Sequence, residues 1–144
     1  MKHLITIILL ISVTIIAGCK DNSKPVDLPK LYPCTVTIMQ DGKPCAGAII
    51  EFLPADSSVK YHAVSFTGED GRVSMSTYGH SGVPVGKFKV IVDNSLRPAK
   101  SADTYQRVEA KYSSAETTPL EIEITGKGGR VEKIFDVGKA VKVR

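Results

Sequence analysis

Cysteine and histidine are the side chains of this 144-residue chain best suited to nucleophilic, redox or metal chemistry, and there are three of each. The histidines are His3, His62 and His80. Neither His62 nor His80 has a cysteine or carboxylate at the spacing that zinc sites use, and His3 belongs to an apolar N-terminal segment. The sequence therefore predicts no metal site and no cofactor.

A hydrolase reaction would need a nucleophile, a base and an acid in one place. Ser81, His80 and Asp93 are a conceivable set, but the chain contains no G-x-S-x-G turn. The side chains of adjacent residues such as His80 and Ser81 also usually point apart in extended backbone. We therefore predict no catalytic residues and a protein that is not an enzyme.

Cys19 differs from the other cysteines because it ends an apolar run. Residues 4–18 carry no charge and follow Lys2, a pattern typical of a secretory signal peptide over residues 1–18. The residues from Ile16 to Cys19 (IAGC) resemble the bacterial lipobox, which implies cleavage before Cys19 and its acylation. Two alternatives stay open: an uncleaved membrane anchor, although a full span wants about 20 residues, and a chance cysteine in a signal peptide cut elsewhere.

The charged residues constrain the partners of the chain. Lysine and arginine number 19 against 15 aspartate and glutamate, for a net charge of +4, and they are spread along the chain. This mild excess predicts no nucleic-acid partner. The lipobox resemblance implies a membrane partner, reached through the lipid anchor. Lys20 follows the cysteine where proteobacterial lipoproteins carry Asp for inner-membrane retention, so the resemblance implies the outer membrane of a two-membrane cell envelope.

Cys34 and Cys45 flank the first predicted turn and have two interpretations. In an oxidising compartment they could form a disulfide that closes a loop of about a dozen residues, worth about 3 kcal/mol. If Gln40 and Lys43 flank the Asp-Gly turn, however, Cys45 lies opposite Ile38, too far from Cys34 unless the strands diverge or bulge. The alternative is a pair of buried or half-buried thiols.

Tyrosines are the candidate ligand contacts, because their rings stack on sugars and peptides. Tyr78 precedes Gly79, and Tyr105 and Tyr112 fall in a long connection over residues 94–119. The alternative is that each tyrosine caps an edge of the fold. The chain has no tryptophan, which weakens a carbohydrate-binding interpretation.

Short runs of β-branched and alternating residues, separated by turn signals, must position these side chains. In residues 86–93, for example, Phe88, Val90 and Val92 alternate with Lys87, Lys89 and Ile91. The pattern predicts an all-β fold, a single sandwich of about seven strands over residues 34–137. The predicted strands are 35–39, 47–54, 61–67, 72–78, 86–93, 120–125 and 130–137.

The segments outside the predicted sandwich lack this alternation. Residues 19–33 contain three prolines and are predicted to be a tether between lipid and domain. Residues 138–144 are predicted to be a C-terminal tail. The best helix candidate is 101–112, within the long connection.

Three segments carry a resemblance to a known family. The segments 41–54 (DGKPCAGAIIEFLP), 67–78 (TGEDGRVSMSTY) and 82–92 (GVPVGKFKVIV) resemble carboxypeptidase regulatory-like domains, and 111–125 is similar to small planctomycete-type lipoproteins that carry this domain. The resemblance implies a transthyretin-like, immunoglobulin-like sandwich without catalytic residues. Transthyretin-like hydrolases share that fold but end in Tyr-Arg-Gly-Ser, whereas this chain ends AVKVR. Cys45 replaces the family's usual Leu or Val.

The sequence thus predicts a lipid-anchored envelope protein with a non-catalytic binding or structural module. Loops near residues 54–60, 78–86 and 94–119 would contact an envelope protein, or the domain would act as a spacer. The alternative is a carbohydrate-binding module of the starch-binding-like kind, and a transthyretin-like hydrolase ranks last.

Overall fold

The computed structural model describes residues 27–56, 59–94 and 106–142, and the fold in these ranges is all-β. The signal peptide 1–18, Cys19 and Tyr105 lie outside the described residues. The strands are β1 (Leu31–Tyr32), β2 (Cys34–Gln40), β3 (Lys43–Pro44), β4 (Ile49–Pro54), β5 (Ala63–Phe66), β6 (Arg72–Ser74), β7 (Ser76–Thr77), β8 (His80–Ser81), β9 (Val83–Pro84), β10 (Gly86–Asp93), β11 (Gln106–Arg107), β12 (Glu121–Ile124), β13 (Val131–Asp136) and β14 (Val141–Lys142).

One four-stranded sheet is antiparallel throughout, in the order β12-β10-β4-β5. Its longest strand, β10, pairs Val90 with Phe52 of β4 and Phe88 with Ile122 of β12. The alternation predicted for residues 86–93 is confirmed, because Phe88, Val90 and Val92 are fully buried.

The second sheet is built around β2. The strand β13 runs parallel to it along one edge, from Val131 opposite Cys34 to Asp136 opposite Met39. The short strands β3 and β6 pair with β2 in the antiparallel sense, β3 with residues 39–40 and β6 with residues 35–37. Three two-stranded ladders complete the described fold: β1 with β9, β7 with β8, and β11 with β14.

A single apolar core lies between the buried faces of the two sheets. Every second residue of β2 is buried, and the largest fully buried side chains include Phe52 and Phe88, whose ring centroids are 6.0 Å apart. Both sheets contribute to one cluster of buried residues. The arrangement is that of a β-sandwich, as the alternation predicts.

Several predicted strands have different bounds or partners from those expected. Residues 72–78 divide into β6 and β7 around the buried Met75, so one predicted strand serves two ladders. The predicted strand 47–54 corresponds to β4, which begins at Ile49. It lies in the sheet that does not contain β2, and the strand that forms the first hairpin with β2 is the short β3. In the described part of the helix candidate 101–112, the helical segment is a single 3-10 turn, Ala110–Tyr112.

The chain beyond β13 is attached to the sandwich rather than separate from it. Asp41 donates its backbone N–H to the Gly138 carbonyl at 2.9 Å, and its carboxylate accepts the Ala140 N–H at 3.0 Å. Farther on, β14 pairs with β11. Residues 138–142, predicted to be tail, therefore close the sandwich end that holds the Asp41-Gly42 turn.

Candidate binding groove

The two cysteines of the sandwich are separate thiols, so the disulfide alternative is not what the structure contains. The register is the one that the Asp-Gly turn predicts: Gln40 pairs with Lys43, and the Cys45 N–H donates to the Ile38 carbonyl at 2.8 Å. Cys34 lies four residues away along β2, roughly 13 Å at about 3.3 Å per residue. Disulfides need Cα atoms within about 7 Å.

Burial rather than pairing determines the chemistry of these thiols. Cys34 faces the core, and burial raises its pKa from 9.0 to about 11, because the thiolate would lose its hydration. Cys45 is also buried, with its Sγ 3.9 Å from the Gln40 side-chain oxygen, and Gln40 donates to the Arg107 carbonyl. Cys34 is thus a protonated core residue near neutral pH rather than a nucleophile.

The three candidate tyrosines have different environments. Tyr112 is only 7% exposed and packs in the core cluster, with the Lys111 ammonium 4.9 Å from its ring centroid. Tyr112 is therefore not a surface ligand contact, because its ring helps to close the core. Tyr105 lies outside the described residues. Tyr78 is 52% exposed and is the candidate that the structure places on the surface.

Tyr78 occupies the tip of a two-residue hairpin between β7 and β8. Its φ is 48° and that of Gly79 is 80°, as a turn matched to the strand twist requires. A side chain in left-handed backbone costs about 1 kcal/mol, and such residues concentrate at functional positions. The Tyr61 ring meets Tyr78 edge-on at 6.2 Å, and the His62 ring lies 5.6 Å from it.

Tyr61 connects this aromatic cluster to a groove at the end of the sandwich where the described chain begins. The groove has a volume of about 370 Å³. We name this cavity the N-terminal groove. It is lined by Pro29, Lys30, Tyr32, Val59, Lys60, Tyr61, Pro84 and Val85. Three separate segments meet there: the chain entering β1, the chain entering β5, and the end of β9.

Hydrogen bonding and ring contacts hold these segments together. The Tyr61 hydroxyl donates to the Asp27 carbonyl at 2.6 Å, which ties the incoming chain to the segment before β5. The Lys30 ammonium lies 5.2 Å from the Tyr32 ring centroid, a cation–π geometry. Lys30 and Lys60 are both exposed, so their charges face solvent at the groove.

The turn at Gly126 packs closely against two side chains that line the groove, Tyr32 and Val85. Gly126 has a φ of +71°, and a Cβ atom there would lie 2.9 Å from the Tyr32 hydroxyl and 3.0 Å from Val85. A larger residue at this turn would therefore displace two lining side chains. Sequence reasoning gave no role to Lys30, Tyr32 or Lys60, because nothing local marks residues that meet only through long-range pairing.

A second cavity of about 530 Å³ adjoins the groove and shares Val59 and Val85 with it. Its charged lining is mixed: Lys87 and Lys127 face Asp56 and Glu123. Of these two adjoining cavities, the N-terminal groove therefore has the excess of positive charge.

The histidines and the conceivable triad are not assembled into a site. His80 and Ser81 are exposed residues of the β7–β8 hairpin, whereas Asp93 pairs with Ile49 in the four-stranded sheet. No cluster of three or more His, Cys, Asp or Glu side chains suited to a metal ion occurs within residues 27–56, 59–94 and 106–142. In the same ranges, no helix is long and apolar enough to cross a bilayer.

Comparisons with known proteins assign no family to this chain. No protein-family model matches this sequence, and no curated protein matches it.

Proposed function

We propose that this chain is an exported lipoprotein of the bacterial cell envelope, held by acyl chains on Cys19, with a non-catalytic β-sandwich that acts as a binding module. One observation carries the binding proposal: two tyrosines and two lysines line a groove where the described chain enters the fold. Rings beside point charges supply both stacking and directed polar contacts. Such a groove is suited to holding a ligand.

The family assignment is part of this proposal. A carboxypeptidase regulatory-like domain of the transthyretin-like, immunoglobulin-like kind would be an all-β sandwich, and the observed architecture is compatible with it. The predicted tether of residues 19–33 is too long, because Tyr61 bonds the Asp27 carbonyl and β1 pairs with β9. A tether of residues 19–26 would present the domain at the membrane surface, with the outer membrane as the proposed site in a two-membrane cell.

The anchor is tested by intact mass and membrane fractionation after expression in a bacterial host. Wild type is expected in the membrane fraction, with the mass of the chain from Cys19 plus acyl groups, whereas Cys19→Ala is expected to lack both. Cys34→Ala is the matched control, because it removes a buried thiol and leaves the anchor intact. Soluble, unacylated wild-type protein would show that the lipobox interpretation is wrong.

Carbohydrate binding is a second candidate, favoured by the edge-to-face contact of Tyr61 and Tyr78 beside the groove. The test is affinity electrophoresis in gels that contain soluble cell-wall polysaccharides. Retardation that Tyr78→Ala abolishes would support this candidate. Phe66→Ala is the control, because Phe66 is a 65% exposed aromatic residue that does not line the groove. If no polysaccharide retards wild type, or if both variants behave alike, the candidate is wrong.

A further inference from the structure

The N-terminal groove has features that identify its ligand more closely. We infer that this groove is the surface by which the sandwich lies on an anionic bilayer, with Lys30 and Lys60 contacting lipid phosphates. The inference rests on the proposed lipid anchor and specifies the ligand of the proposed binding site.

Chain length limits how far the groove can be from the bilayer. If Cys19 is acylated, eight peptide units separate its Cα from that of Asp27, at most about 28 Å when fully extended. Asp27 is already bonded to the groove residue Tyr61. The other end of the sandwich lies roughly 20 Å farther along the seven-residue strand β2. The anchor therefore gives the groove a smaller maximum distance from the headgroups than the other end of the sandwich.

Charge at this end is complementary to anionic lipids. The groove lining contains two lysines and no carboxylate, and the exposed acidic residue beside it is Asp27, whose carbonyl accepts from Tyr61. Each lysine near an anionic membrane surface contributes about 1 kcal/mol of attraction. The adjoining cavity balances two lysines against two acids, so it neither adds to this attraction nor cancels it.

Hydrogen-bonding capacity matches the two lysines to phosphate. A lysine ammonium can only donate and a phosphate group only accepts, so Lys30 and Lys60 suit a lipid phosphate.

The apolar part of the lining suits a headgroup interface. Val85 is 50% exposed beside the half-buried rings of Tyr32 and Tyr61. Tyrosine and lysine side chains have an apolar body and a polar tip, which places them favourably where acyl chains meet headgroups. Val85 could insert among the lipids while the two ammonium groups remain at phosphate depth.

The test is co-sedimentation of the chain 19–144 carrying Cys19→Ser with vesicles. One vesicle set is phosphatidylglycerol and phosphatidylcholine at about 3:7, and the other is phosphatidylcholine alone. The expected result is at least roughly tenfold stronger partitioning onto the anionic vesicles at low salt, lost at high salt. In the double variant Lys30→Glu/Lys60→Glu, this preference is expected to disappear.

The control is Lys43→Glu/Lys139→Glu, which makes the same change of net charge at the opposite end of the fold, where Asp41 bonds Gly138. It is expected to keep the preference within about twofold. Equal partitioning of wild type onto both vesicle sets, or equal loss in both double variants, would overturn the inference. Thermal unfolding of each variant verifies that it is folded. Because the tested chain carries no acyl group, this result is independent of whether Cys19 is acylated in the cell.

Discussion

At the scale of single residues, Tyr78 combines an exposed ring with a backbone conformation that favours glycine. Both residues of its turn have positive φ, yet only Gly79 accepts this without cost. The ring is nevertheless present, in contact with Tyr61 and His62. A surface tyrosine kept in a strained turn is therefore a candidate functional position.

Replacing Tyr78 separates the backbone cost from the ring contacts. Tyr78→Gly and Tyr78→Ala lose the same ring, but only alanine retains the left-handed strain, so we expect the glycine variant to be more stable by about 1 kcal/mol. Chemical denaturation measures the difference. A less stable glycine variant would contradict the strain argument.

Cys34 makes the stability dependent on pH on the alkaline side. Its folded pKa of about 11 lies above the value of 9.0 expected when unfolded. The protonated thiol therefore favours the folded state fully below pH 9, and this contribution is lost as pH rises from 9 toward 11. We expect wild type to lose about 2 kcal/mol more than Cys34→Ala between pH 8 and pH 11. Parallel unfolding curves for the two proteins over this range would refute the prediction.

At the scale of elements, the turn from β5 to β6 is fastened to β2 by a close backbone approach. Gly71 has a φ of +70°, and a Cβ there would lie 2.7 Å from the Ile38 carbonyl oxygen. Gly42 has nearly the same φ, +69°, with nothing within 4 Å of a Cβ. The two glycines thus have nearly the same φ and differ in what a Cβ atom would contact.

Their alanine variants therefore measure the contact directly. Gly42→Ala is expected to cost about 1 kcal/mol for the backbone alone. Gly71→Ala is expected to cost at least about 1 kcal/mol more, because β2 and the turn must separate. Urea denaturation of both variants verifies this, and equal losses would show that the turn relaxes freely.

Alternation within a strand could be predicted, but the partner of each strand could not. Phe88, Val90 and Val92 face the core as predicted, because residues two apart share a face in any β-strand. The parallel pairing of β13 with β2, and the crossing of β4 into the other sheet, join residues distant in sequence. Which strands pair depends on the relative free energies of all the possible pairings, and a local sequence pattern contains no information about these.

At the scale of the whole molecule, the segment after β13 is structural. Removing residues 138–144 deletes the two hydrogen bonds at Asp41 and the β14–β11 ladder. We expect a loss of about 2 kcal/mol or more, at about 1 kcal/mol for each hydrogen bond. Removal of residues 143–144 alone is the control and is expected to change little. Identical melting temperatures for wild type and the longer deletion would show that this segment contributes nothing.

The sequence by itself determined the all-β class, the alternation of strands such as β10, the Asp41-Gly42 turn and the prediction of a lipid-anchored cysteine. These depend on residues that are neighbours in the chain. The tertiary structure alone decided that Tyr112 is core and that Lys30, Tyr32, Lys60 and Tyr61 line one groove. The physical reason is that burial and convergence follow from which distant strands pair, and the free energy of that pairing belongs to the whole sandwich.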